Sequence, residues 1–75
     1  MSPQQKVKEI LYHIQILNQN DEITPEAKNE IVAMLSEARK TDDFSKLNKR
    51  FRAMSYGITM QDTIDSLIAI TAQNT

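Results

Sequence analysis

Hydrophobic residues recur along this chain at intervals of three and four, the spacing that lines one face of an α-helix. Val7, Ile10, Leu11, Ile14 and Leu17 form a first stripe, and Ala27, Ile31, Met34, Leu35 and Ala38 a second. Phe44, Leu47, Phe51 and Met54 form a narrow third stripe holding both phenylalanines, and Met60, Ile64, Leu67, Ile68 and Thr71 a broad fourth. Helix punctuation stands between the stripes. Ser2-Pro3-Gln4-Gln5 reads as an N-cap, a proline at the first helical position and a glutamine able to close a capping box. Thr24-Pro25-Glu26 repeats the device, Thr41-Asp42-Asp43 offers a third cap, and Thr59-Met60-Gln61-Asp62 a fourth. Gly57, the only glycine, suits the left-handed residue that closes a helix. The pattern predicts an all-α fold, a compact bundle of four short helices near 3–18, 25–40, 42–56 and 60–72, in a single small helical domain over 1–75. Asn18-Gln19-Asn20-Asp21-Glu22 is the longest polar loop, and Gln73-Asn74-Thr75 is expected to fray.

Composition narrows the function classes. Hydrophobic residues make up 40% of the 75 positions and charged residues 25%, which is globular rather than disordered. Nine basic and ten acidic side chains nearly cancel, so no global charge steers the chain to nucleic acid or an anionic membrane. There is no cysteine, which removes disulfides and thiolate chemistry, and one histidine, His13, makes a closed zinc site improbable. No apolar run is long enough to span a bilayer, and Met1-Ser2-Pro3-Gln4-Gln5-Lys6 lacks the apolar core of a signal peptide. A soluble, cytoplasmic protein is expected. Isoleucine outnumbers valine and lysine outnumbers arginine, a bias that AT-rich coding produces, and a compact helical protein of this size suggests an origin on a phage or other mobile element.

Catalytic chemistry finds little to use. His13 is the only neutral-pH base candidate, and one helical turn before it stands Glu9, which makes a side-chain pair the simpler reading. Asp62 and Asp65 lie three apart on the fourth helix, a spacing typical of a solvated face and short of the oxygen ligands calcium requires. No glycine-rich loop exists to cradle a phosphate. Met34, Met54 and Met60 fall on inward stripes and read as core. No enzyme activity, no cofactor, no metal and no small-molecule substrate are expected.

Charge is the sharpest local feature. Lys46, Lys49, Arg50 and Arg52 crowd into seven residues of the third helix, on the face away from its apolar stripe. They are candidate contacts for phosphate or for an acidic protein surface. The competing account is a solvated face neutralised by Asp42, Asp43 and acids on neighbouring helices. Just beyond, Ala53-Met54-Ser55-Tyr56-Gly57-Ile58-Thr59 resembles the turn of a helix-turn-helix, with an alanine four before the glycine and an apolar residue after it. That resemblance implies a fourth helix entering the major groove. The chain departs from the pattern by placing Thr63 where an apolar residue belongs, and by exposing Asp62 and Asp65 on the helix that would face phosphates. A plain C-cap at Gly57, latched by Ile58, accounts for the same residues. No family is identified.

Tyr12 and Ile16 stand four apart on the first helix, opposite Ile10 and Ile14, on a face otherwise lined by Gln5, Lys8, Glu9 and Gln19. Two adjacent apolar side chains there form a candidate dimer or partner patch, unless the fourth helix or the C-terminal tail covers them. The expected function is therefore that of a small non-catalytic regulatory or adaptor protein acting through protein–protein contacts, with a protein partner or a second copy of itself and no membrane. The alternative is a nucleic-acid-binding protein that uses the basic third helix.

Overall fold

The computed structural model of the chain describes residues 1–73. Four α-helices follow in order: α1 (Pro3–Gln19), α2 (Pro25–Thr41), α3 (Ser45–Met54) and α4 (Gln61–Ala72). No strand occurs among the described residues. Ser2 caps α1, its hydroxyl accepting from the Gln5 amide at 3.1 Å, and Thr24 caps α2 by accepting from the Ala27 amide at 3.1 Å. These are the caps the sequence announces. Gln5 does not reach back to complete a capping box; its side-chain Nε2 turns forward and donates to the Glu9 carboxylate at 3.1 Å.

The third and fourth starts differ from the expectation. Thr41 belongs to the last turn of α2, where its hydroxyl donates to the Glu37 carbonyl at 3.0 Å. Asp42 then adopts the left-handed conformation (φ 53°) that ends the helix. Asp43 makes the turn instead: its Oδ1 accepts from the Ser45 amide at 3.0 Å and from the Ser45 hydroxyl at 2.6 Å. So α3 begins at residue 45 rather than 42, and it stops at 54 rather than 56. Thr59 does not cap α4, because its hydroxyl is taken by the Glu22 carboxylate of the α1–α2 loop. Gly57 carries φ 81°, and a Cβ there would meet nothing within 4 Å. Backbone conformation alone accounts for this glycine.

The helices pack in a closed ring. Each lies against the next in sequence, α4 returns to α1, and the diagonal pairs do not bring their backbones together. Short connections enforce this neighbour-to-neighbour order. The radius of gyration is 11.2 Å, against about 11 Å for a compact 75-residue domain. Ile10, Ile14 and Leu17 of α1 meet Ile31 and Leu35 of α2, Leu47 and Phe51 of α3, and Ile64 and Leu67 of α4 in one core. Ile23, just after the polar loop, and Ile70, outside the predicted α4 stripe, join it as well. Of the end expected to fray, Gln73 is described and held in place; Asn74 and Thr75 lie outside the described residues.

Candidate interaction surfaces

Three surface features emerge once the ring is closed. The first is α3. Its four cations do not form one face. Arg50 turns to α2, where its Nε lies 3.2 Å from the Glu30 carboxylate. Arg52 turns the other way, its Nε donating to Asn48 Oδ1 at 2.9 Å. Asn48 in turn donates through Nδ2 to the Ile68 carbonyl and to Thr71 Oγ1 of α4, each at 3.1 Å. The buried Thr71 hydroxyl lies 2.9 Å from the Leu67 carbonyl, its own acceptor one turn back. Arg50 therefore bridges α2 and α3 and Arg52 braces the Asn48 that bonds to α4, while Lys46 and Lys49 are exposed. The Ser45 hydroxyl, then the Ser45 amide, hold the Asp43 carboxyl below its ordinary value of 3.8, and Lys46 adds a smaller pull in the same direction.

The turn before α4 also departs from a helix-turn-helix. Residues 55–60 separate the two helices, longer than the three- or four-residue turn of that motif. Asp62 and Asp65 are exposed on α4, and Asp65 Oδ1 accepts from the Gln61 side-chain Nε2 at 2.9 Å. No group of three or more His, Cys, Asp or Glu side chains converges among the described residues.

The second feature is the outer face of α1. Tyr12 is 63% exposed, so neither α4 nor the described part of the tail covers it. Ile16 is half-buried but is not among the side chains packed on the core. Lys8 and Glu9 flank Tyr12 in a shallow depression. The Tyr12 ring meets the neighbouring His13 ring edge-on at 5.4 Å. His13 is not paired with the Glu9 carboxylate; its Nδ1 lies 2.7 Å from the Glu9 backbone carbonyl. A carbonyl only accepts, so Nδ1 is the donor in this contact.

The third feature was not anticipated. Lys6 is only 2% exposed, and its Nζ donates to the Gln73 carbonyl at 2.7 Å while lying 5.0 Å from the centre of the Phe44 ring. It lines a cleft of about 370 Å³ bordered also by Asn48, Lys49 and the start of α3. One signal for this was legible: Lys6 precedes Ile10 by four and Leu17 by eleven, in register with the buried stripe. A long stem can follow an apolar stripe to its end and place its charge there. Leu11, predicted inward, is 44% exposed instead, and Val32 beside it is 43% exposed. The α1 stripe is wider than the surface its two neighbours cover, and Leu11 falls at its edge.

No family model, no curated protein and no solved structure matches this chain. No helix among the described residues is long and apolar enough to cross a membrane.

Proposed function

We propose that this protein acts without catalysis, as a small regulatory or adaptor protein in the cytoplasm, through contacts with another protein or a second copy of itself. The observation that carries the reading is Tyr12, 63% exposed on a helix whose opposite face fills the core. A large aromatic left in water by a chain with few apolar residues to spare is better used at an interface. Lys8 and Glu9 beside it suit an isologous contact, since a two-fold axis brings the cation of one copy to the anion of the other. The nucleic-acid alternative is weakened by Arg50 and Arg52, which are engaged by Glu30 and Asn48 rather than held ready for phosphates. The test is Tyr12→p-benzoylphenylalanine in the full chain, irradiated in a lysate of the organism that encodes it. A protein adduct, to a partner or to a second copy, is expected. Adducts to nucleic acid alone, or none, would overturn the proposal.

A further inference from the structure

The seam between α1 and α2 has a composition unlike the rest of the surface. Leu11 and Val32 face each other across it, both more than two-fifths exposed, with the half-buried Val7 beside them. Two shallow cavities, of about 150 and 480 Å³, share these two residues as a common border. Among the described residues, the only charged one lining the first is Arg39, the only one lining the second is Lys28, and no carboxylate lines either. Among the described residues, neither Arg39 nor Lys28 has a hydrogen bond or ion pair from its side chain.

The acids of both helices lie elsewhere. Glu30 of α2 contacts Arg50 of α3, Glu37 borders the α2–α3 groove beside Lys46, and Glu26 shares their helical phase. Glu9, the one acid of α1, sits beside Tyr12 and accepts from Gln5 on the far flank. The seam therefore has an apolar centre at Leu11 and Val32, flanked by uncharged polar side chains (Gln15, Asn18 and Gln19 at one end, Ser36 at the other), with one cation in each half and, among the described residues, no anion. Lys28 and Arg39 are eleven residues apart on α2, a rise of about 16 Å or three helical turns.

We infer that this seam is the docking groove for an amphipathic acidic helix of another protein, an inference that rests on the protein-contact reading above. Such a helix would lay an apolar stripe on Leu11 and Val32 and bring a carboxylate to each cation, about three turns apart. A second copy of this chain fits poorly. A two-fold axis through the seam sets Lys28 and Arg39 against cations only, with no carboxylate to neutralise them. Nucleic acid also fits poorly, because the floor between the cations is leucine and valine.

The experiment places the same photo-crosslinker at Val32, compares it with position 12, and identifies the cross-linked segment by mass spectrometry. The expected result is an adduct from position 32 whose cross-linked segment has helically spaced apolar residues flanked by Asp or Glu. Lys28→Glu with Arg39→Glu, verified as folded by circular dichroism, should lower its yield by about tenfold or more, with the position 12 adduct unchanged. Adducts from position 12 but not from 32 would overturn the docking groove and leave the protein-contact reading standing. Absence of a protein adduct from position 12 alone would overturn the Tyr12 contact, and absence from both positions would overturn both proposals. A cross-linked segment from this chain itself, from nucleic acid, or without acidic residues would overturn the groove, as would a yield indifferent to charge reversal.

Discussion

Phe51 is completely buried where α3 meets the rest of the core, and Leu47 stands one turn before it, nearly as deep. Replacing Phe51 by Ala should cost about 3–5 kcal/mol and Leu47 by Ala about 2–5 kcal/mol, through lost transfer energy and the cavity left behind. A 75-residue domain has about 4–11 kcal/mol in total. A urea titration should therefore find either variant close to unfolded in water, and an unmoved midpoint would mean that α3 does not pack this way. Lys6 behaves differently. Its charged hydrogen bond to Gln73 and its approach to Phe44 are favourable, but so large a fraction of buried ammonium carries a desolvation penalty of similar size. Lys6→Met keeps the stem and removes both terms, so the thermal midpoint should change little. What it should lose is the anchor on the end of α4: amide hydrogen exchange at Ala72 and Gln73 should accelerate several-fold.

At the scale of elements, α3 is the helix that sequence and structure describe most differently. Its apolar stripe is all buried, as its spacing implies, yet its start depends on Asp43 and its sides on Glu30 and Asn48. The folded Asp43 carboxyl lies below its ordinary value, so its contribution is present above about pH 4 and is lost as pH falls through the lower folded value. Asp43→Asn should flatten the acid side of the stability profile below pH 4 without altering the neutral plateau's independence of pH, as read by thermal melts across pH. The cations of α3 give a second measurement. On the protein-contact reading, duplex or single-stranded nucleic acid should not bind measurably at low salt. Binding whose log–log salt slope falls by about three units when Lys49, Arg50 and Arg52 are replaced together would assign this helix to phosphates instead.

For the whole molecule, the question is whether the exposed α1 face joins two copies. Ile16 is half-buried without packing on the core, so Ile16→Glu should leave the helical circular dichroism spectrum intact and shift stability by no more than about 1 kcal/mol. If Tyr12 and Ile16 centre a homodimer, the mass from light scattering on the same sample should fall from two chains to one, and the small-angle X-ray radius of gyration should approach the 11.2 Å of the single chain. A wild type that is monomeric and an Ile16→Glu chain that unfolds would place Ile16 in the core and remove the patch.

Local spacing alone determined the number of helices, the caps at Ser2 and Thr24, and the buried sets of α1 through α4 in outline, because helical period and capping are set by neighbours within four residues. The same local logic made α3 too long, since it reads Thr41, Asp42 and Asp43 as one cap when the chain divides them between ending α2 and starting α3. It also drew Leu11 inward, because a stripe shows which residues could be buried but not how much of it the neighbouring helices will cover. The partners of Lys6, Arg50 and Arg52 were beyond its reach: Gln73 lies sixty-seven residues from Lys6 and Glu30 twenty from Arg50. Arg52 is held by Asn48, only four residues away, but Asn48 takes that role while its amide group is fixed on α4. Only the closed ring decided which charges are spent on holding helices together and which apolar side chains remain at the surface, because both depend on which faces meet.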